Sequence, residues 1–278
     1  MSTLELGGPP RLGPLYRSAA LTAVRRKAAR DALPDTELVV RDVAVDRDHL
    51  AGYDRVCGFR LSDSLPGTYP HVLAFPLAMA LMTRADFPLP LLGLVHIANR
   101  ITVHRSAGAD ERFEFRVHAE DLRPHDRGRQ VDVVTTALVD GAEVWRGRST
   151  YLRKERTGER RADGDQPPTG ATRWRVTPRT GTDYAEVSGD RNPIHTSLIG
   201  ARLFGFPRPI AHGMWAKARC LAALEGRLPE RYEVDVAFKL PVLLPSTVAF
   251  GAVAEGAGWR LDLRAAKSGR PHLAGTVT

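Results

Sequence analysis

The chain carries one sequence pattern twice, and this repetition limits its folds more than any other feature. The first half contains Tyr53-Asp-Arg-Val-Cys-Gly-Phe-Arg60, and the second contains Tyr184-Ala-Glu-Val-Ser-Gly-Asp-Arg191. Tyrosine, valine, glycine and arginine recur at identical spacing. Further along, Leu73-Ala-Phe-Pro-Leu77 parallels Ile210-Ala-His-Gly-Met214. Matched spacing at two separate places favours a duplicated unit over a chance likeness between two unrelated α+β halves.

A segment dominated by charge, glycine and proline separates the halves. Residues 153–172 contain almost no large apolar side chain, so they cannot bury enough surface to offset the entropy lost on ordering. We therefore predict an N-terminal domain over residues 1–152, a linker over 153–172 and a C-terminal domain over 173–278.

Each half has a short helical pattern followed by four strand patterns. The helical patterns cover residues 79–83 and 214–224. The strand patterns alternate or are rich in β-branched residues, as half-buried antiparallel strands are. They cover residues 95–104, 113–119, 130–139, 144–152, 232–240, 247–254, 259–265 and 272–277. Because a sheet can bury an apolar helix by wrapping round it, we predict an α+β double hot dog, in which two tandem helix-wrapped antiparallel sheets form one continuous sheet.

The bulk composition is that of a soluble globular protein, with 43% hydrophobic and 26% charged residues. The sequence has no membrane-length apolar run, and residues 1–14 lack the apolar core of a signal peptide. Two cysteines are too few for a disulfide framework. We therefore expect a cytoplasmic protein. A net charge of +8 favours anionic partners, but the basic residues are scattered and nothing resembles a nucleic-acid-binding module. A merely solvated basic surface is the alternative.

The second copy contains residues suited to acid–base chemistry. Asp190 and His195 are separated by Arg-Asn-Pro-Ile, and proline disfavours helix there, so we predict a loop after a short helix over residues 183–188. A carboxylate and an imidazole that converge on one water can act as general acid and base. Asn192 is suited to bracing the turn by hydrogen bonds to the backbone. The spacing alone equally fits an Asx turn with a surface histidine, and a metal site lacks an apparent third ligand.

Gly213 opens the predicted apolar helix of the second copy. Amides in the first turn of a helix lack intrahelical partners and have partial positive charge, so the Gly213 N–H is a candidate oxyanion donor. The alternative is that Gly213 only permits a tight turn into the helix. We expect His212, which precedes it, to bond neighbouring backbone rather than to take part in catalysis.

The first copy serves as an internal control. Counted without gaps from Tyr53 and Tyr184, Phe59 and Ser64 stand where the second copy has Asp190 and His195. In the parallel between Leu73–Leu77 and Ile210–Met214, Pro76 stands where the second copy has Gly213, and proline has no N–H to donate. We infer one active half and one half that has lost catalysis; a packing explanation for the three changes is the alternative.

The run from Tyr184 to Ala201 resembles the signature of the MaoC-like, or hydratase 2, family. It fills every position: an aromatic residue, a short gap, Val-Ser-Gly-Asp, any residue, Asn-Pro-Ile-His, five residues and a small residue. Pro-Ile-Ala-His-Gly-Met and Val236-Ala-Phe-Lys-Leu-Pro-Val242 are also similar to the family. Strong resemblance covers residues 184–242. The N-terminal half resembles the degenerate copy of two-domain members from peroxisomes and actinobacteria.

The resemblance implies a hydro-lyase of fatty-acid metabolism that hydrates trans-2-enoyl-CoA to (R)-3-hydroxyacyl-CoA and catalyses the reverse dehydration. It implies Asp190 and His195 as the catalytic pair and Gly213 as the amide donor, with no metal or redox cofactor. The thioester of CoA or phosphopantetheine is then the substrate. A 3-hydroxyacyl-carrier-protein dehydratase would use the same residues. A non-catalytic acyl-thioester-binding scaffold is the alternative from another class.

We also predict the residues that bind the substrate and the acyl chain. Ser188, Asn192 and His212 are the candidates in the second copy, and Tyr69 and Phe75 are the candidates in the first. Tyr69, Phe75, Leu77 and Phe87 are suited to lining a path for chains of eight or more carbons, although core packing also explains each of them. A monomer and a homodimer both fit the sequence.

Overall fold

The computed structural model describes residues 1–17, 32–91, 93–155 and 171–278. The helices with defined bounds are α1 (Arg47–Cys57), α2 (Tyr69–Met82), α3 (Pro178–Ser188), α4 (Pro193–Thr196), α5 (Leu198–Leu203) and α6 (Gly213–Ala222). The strands are β1 (Ser2–Leu6), β2 (Thr36–Ala44), β3 (Leu94–Val103), β4 (Arg112–His125), β5 (Gly128–Val139), β6 (Ala142–Lys154), β7 (Thr172–Val176), β8 (Tyr232–Phe238), β9 (Ser246–Glu255), β10 (Gly258–Ala265) and β11 (Pro271–Val277).

The chain divides into two compact units. Unit 1 contains Met1–Asp46 and Asp63–Gly158, and unit 2 contains Arg47–Ser62 and Glu159–Thr278. The contacts therefore place residues 47–62 in unit 2, although they come from the first half of the sequence. Residues 156–170 of the predicted linker lie outside the described residues, so the division at 153–172 stays a prediction.

Unit 1 has a sheet with the strand order β1-β2-β4-β5-β6-β3. Its neighbouring strands are antiparallel apart from β1 and β2, which are parallel. Along β4, buried Phe113, Phe115 and Val117 alternate with part-exposed residues, because successive side chains of a strand point to opposite faces. The helix α2 packs against β2, β4 and β5.

The helix of unit 1 begins at Tyr69, ten residues before the predicted start at residue 79. Its sequence is apolar around most of its circumference, so it has no amphipathic period to read. Pro76 lies inside it and argued locally against a helix. Burial in unit 1 overrides that local preference.

Unit 2 has an antiparallel sheet with the order β8-β11-β10-β9-β7. The helix α6 is buried along most of its length, and Lys217 Nζ donates a hydrogen bond to the Val234 carbonyl of β8 at 3.1 Å. Each unit thus has an antiparallel sheet and its own apolar helix. The predicted double hot dog is confirmed, with β1, β2 and β7 added to the four strands expected in each copy.

The duplicated sequence corresponds to two helices that touch each other in unit 2. Both α1 and α3 have 11 residues, and each is followed by a glycine with positive φ, 82° at Gly58 and 73° at Gly189. The two helices pack together, with the Tyr53 and Tyr184 ring centroids 6.3 Å apart. None of the helices in the described ranges is long and apolar enough to span a membrane.

Candidate active site

The turn that follows α3 positions Asp190. Gly189 has the left-handed conformation that ends the helix, and its N–H donates to the Ala185 carbonyl. The Asp190 N–H then donates to Ser188 Oγ at 3.2 Å, and Asp190 Oδ1 accepts from the Asn192 N–H at 3.2 Å. The turn is therefore stabilised by local hydrogen bonds between side chains and backbone, which short polar residues such as serine and aspartate favour at turns.

Asn192 and Ser188 have contacts typical of bracing residues. Asn192 Oδ1 accepts from the Ile194 N–H at 3.3 Å, which caps the one-turn helix α4. Ser188 Oγ donates to the Tyr184 carbonyl at 2.6 Å. The loop predicted over residues 190–195 thus contains the start of a helix, because Pro193 fits the first helical position. The roles of Ser188 and Asn192 in substrate binding stay predictions.

His195 lies on α4 and is 8% exposed. Its Nδ1 lies 2.8 Å from the Ile210 carbonyl oxygen. Because a carbonyl only accepts, Nδ1 has the proton and Nε2 presents a lone pair. Burial lowers the pKa of His195 below its usual value, against the opposing effects of the Asp190 carboxylate and the Ile210 carbonyl. At neutral pH the imidazole is therefore a neutral base.

Asp190 and His195 face each other across a short gap. His195 Nε2 lies 4.0 Å from Asp190 Oδ2, and the Asp190 side chain is 30% exposed. A direct hydrogen bond would need about 3 Å, so the two atoms do not bond each other. One water about 2.8 Å from both atoms would satisfy the two acceptors. The structure thus brings together the carboxylate and imidazole that the sequence pairs.

His212 is closer to this pair than its sequence position indicates. Its ring stacks on the His195 ring with centroids 3.6 Å apart, and its Nε2 lies 2.9 Å from the Asp190 carbonyl oxygen. Burial, reinforced by His195, lowers the pKa of His212 to about 3, against the opposing effect of Asp190. His212 is therefore neutral and donates its Nε2 proton to backbone. Its contacts are those of a bracing residue, and its role in substrate binding stays a prediction.

Gly213 is the first residue of α6, with His212 as the N-cap. A Cβ at Gly213 would lie 3.1–3.2 Å from three ring atoms of Phe238, the last residue of β8. The absence of a side chain therefore lets the Phe238 ring lie against the beginning of the helix. No sequence pattern assigned a role to Phe238, although its stretch Val236-Ala-Phe-Lys is part of the family resemblance.

The corresponding helix of unit 1 has no free first amide of this kind. The parallel between Leu73–Leu77 and Ile210–Met214 predicted that Pro76 is equivalent to Gly213. This equivalence is wrong, because Pro76 lies inside α2, which begins at Tyr69, whereas Gly213 is the first residue of α6. The Tyr69 N–H donates to the Pro66 carbonyl at 2.8 Å, and Pro70 has no N–H. Ser64, which stands where the second copy has His195, has its Oγ 2.8 Å from Ser106 Oγ. The loss of the amide donor in the first copy is therefore explained at Tyr69 and Pro70 instead.

The predicted chain-lining residues belong to unit 1. Tyr69, Phe75 and Leu77 lie on α2, and all four candidates, Phe87 included, are buried. Core packing, the alternative weighed for them, accounts for that burial. Their contact with an acyl chain stays a prediction.

The structure supplies a third candidate metal donor that the sequence did not reveal. Asp190, His195 and His212 offer ligand atoms that lie within 4.8 Å of one another. However, His195 Nδ1 and His212 Nε2 both point at backbone carbonyls, and His212 Nδ1 is fully buried. A donor set reduced to His195 Nε2 and Asp190 fits proton transfer better than a three-ligand zinc site.

Comparison with known proteins identifies the family. Residues 161–268 match the MaoC like domain. The chain is 42% identical over 279 residues to 3-hydroxyacyl-thioester dehydratase X of Mycobacterium tuberculosis, covering 97% of this chain and 98% of the relative. The chain therefore belongs to the MaoC-like dehydratase family and is a hydro-lyase.

Solved structures agree with this assignment. The crystal structure of HtdX from Mycobacterium tuberculosis superposes with a TM-score of 0.79 at 39% identity, covering 87% of this chain and 98% of that one. A MaoC-like dehydratase from Phytophthora capsici has a TM-score of 0.72 at 18% identity, covering 87% and 94% of the two chains. The second likeness concerns the fold alone.

Proposed function

We propose that the protein interconverts trans-2-enoyl and (R)-3-hydroxyacyl thioesters of fatty-acid metabolism by adding or removing water. The 4.0 Å gap between His195 Nε2 and Asp190 Oδ2 carries this proposal. Further support comes from the relative of 42% identity, whose name describes it as a 3-hydroxyacyl-thioester dehydratase. A non-catalytic acyl-binding scaffold would not need this pair.

In the hydration direction, water lies between the two side chains and donates to His195 Nε2 and Asp190 Oδ2. Its oxygen bonds to C3 of the enoyl chain while one of its protons passes to the pair. The π electrons of the C2–C3 bond move toward the thioester oxygen, where the Gly213 N–H stabilises the developing negative charge. The pair then delivers the proton to C2, so that the elements of one water are added across the double bond.

Each bracing contact has a definite task in this scheme. The Ile210 carbonyl fixes the His195 tautomer that leaves Nε2 basic. The stacked His212 ring restrains His195, and His212 is also the N-cap residue directly before Gly213, the proposed amide donor. The tautomer of His195 is thus set before substrate binds.

We propose that this chemistry needs no metal or redox cofactor, because water, a base and an amide donor suffice for it. We also propose a cytoplasmic location; Cys57 and Cys220 are both free and buried, as expected in a reducing compartment.

The function is tested by the hydration of crotonyl-CoA, which is monitored by the loss of enoyl absorbance. Asp190→Asn and His195→Gln should each lower kcat about 10²–10⁴-fold. Asp183→Asn, an exposed aspartate of α3, and His104→Gln, a surface histidine, are the matched controls and should keep wild-type rates. Wild-type turnover in both active-site variants would show that the assignment is wrong.

A further inference from the structure

An apolar patch lies on the surface beside the candidate active site. The α5 patch consists of Leu198, Ile199, Leu203 and Phe204, which are 45%, 74%, 80% and 40% exposed. Single exposed apolar residues are ordinary, but four within seven positions are typical of an interaction surface.

The helix α5 is built to direct these large side chains outward. Its small residues, Gly200 and Ala201, are buried, and a Cβ at Gly200 would clash with Pro193 Cβ of α4. Ser197 Oγ caps the helix by accepting from the Gly200 N–H. The helix therefore packs through its small residues, and its large apolar residues face solvent.

The chain segment that contains the patch carries charge of one sign. From Arg191 to Leu224 the sequence has no aspartate or glutamate but has five basic residues. Three of these, Arg191, Arg202 and Arg208, are exposed. Within the described ranges, no carboxylate forms an ion pair with Arg202 or Arg208. A second copy docked on the same patch would bring like charges together, whereas an acidic surface would be attracted.

The patch is also part of the chain that links His195 to Gly213. The helix α5 also packs against α4, which bears His195, so a partner bound on α5 would lie close to the thioester-binding site. We propose that the α5 patch docks an acidic acyl carrier protein, whose acidic and apolar side chains meet Arg202, Arg208 and the apolar residues while its phosphopantetheine thioester reaches His195. This proposal rests on the proposed function and names the carrier of its substrate.

Three thioesters of one acyl chain test the proposal in the whole 278-residue chain. The probes are trans-2-octenoyl groups on holo acyl carrier protein, on CoA and on pantetheine. Ile199→Asp/Leu203→Asp and Arg202→Glu should each lower kcat/KM for the carrier-protein substrate at least tenfold and change the other two less than twofold. Val253→Asp, at an exposed position on β9, and Arg231→Glu, at an exposed arginine, are the controls and should change none of them.

The other outcomes overturn the proposal. A parallel loss with CoA but not with pantetheine would assign Arg202 to the CoA phosphates. The patch would be assigned to a second copy if the rates for all three substrates are unchanged and gel filtration shows a wild-type dimer that Ile199→Asp/Leu203→Asp converts to a monomer. Unchanged rates together with patch-dependent binding to anionic phospholipid vesicles would assign it to a membrane surface. Unchanged rates without either effect also reject carrier docking.

Failure of the proposed function is distinguishable. If the wild-type protein is inactive on all three thioesters, calorimetric titration with holo acyl carrier protein still measures docking. Binding that is lost in Ile199→Asp/Leu203→Asp would support the surface, and absence of binding to the wild type would overturn it.

Discussion

Replacing Gly213 by alanine tests how the structure positions the amide at the beginning of α6. The added Cβ would lie 3.1, 3.1 and 3.2 Å from three ring atoms of Phe238. Optimal carbon–carbon contacts are about 3.5–4.0 Å, so either the ring or the helix must move by about 0.5 Å. Because several ring atoms are equally close, rotating the ring exchanges one short contact for another.

The expected cost follows from this overlap. Overpacking costs about 1–3 kcal/mol, and replacing glycine by alanine inside a helix returns up to about 1 kcal/mol. We expect Gly213→Ala to lower the free energy of unfolding by about 1 kcal/mol. We also expect turnover to fall about 10- to 100-fold, because displacing the helix moves the proposed oxyanion donor. Urea unfolding and the enoyl hydration rate measure the two effects.

A second substitution makes the reasoning refutable. Phe238→Leu removes the ring atoms that meet the new Cβ, so Gly213→Ala/Phe238→Leu should recover part of both losses, with a coupling energy of about 1 kcal/mol. Wild-type stability and turnover in Gly213→Ala, or simple additivity in the double variant, would show that Phe238 does not set the position of the helix.

Two further predictions concern pH. The pKa of His212 is about 3 in the folded protein, against an ordinary value of 6.5. As the pH falls below about 6.5, the free energy of unfolding should therefore fall by up to about 1.4 kcal/mol per pH unit. Urea midpoints of the wild type and of His212→Gln measure this effect, and an equal dependence of the two midpoints on pH would contradict it. Burial raises the pKa of Asp54 from 3.8 to about 6, with Glu225 adding to the effect and a Ser62 backbone hydrogen bond opposing it. Its ionised form therefore costs stability above pH 6 and not below 3.8, so Asp54→Asn should be more stable than wild type near pH 8 and lose that gain by about pH 4. The exposed Asp48→Asn is the control, and a gain independent of pH would refute the assignment to Asp54.

The two pH effects have opposite signs for one physical reason. A buried histidine resists becoming charged as the pH falls, whereas a buried carboxyl resists becoming charged as the pH rises. His212→Gln and Asp54→Asn are therefore each compared with the wild type over the full pH range, so that one group's titration does not hide the other's.

The sequence by itself determined the features that depend on local pattern. Period-two alternation and β-branched residues identified the eight strands from β3 to β6 and from β8 to β11, since alternate side chains of a strand face opposite sides and branched side chains suit a strand. The spacing from Asp190 to His195 left a surface turn as an alternative, and the signature over residues 184–201 singled out the pair. The turn itself is local, because Asn192 and Pro193 fold it by a side-chain hydrogen bond and a fixed φ.

Only the tertiary structure decided the features that depend on distant contacts. The start of α2 at Tyr69 was hidden because a helix buried all round has no amphipathic period and Pro76 argues locally against it. Phe238 and Gly213 are 25 positions apart, and their contact arises only when β8 packs beside α6. The stacking of His212 on His195 likewise depends on the tertiary fold. Close packing brings together side chains whose separation in the sequence gives no sign of contact.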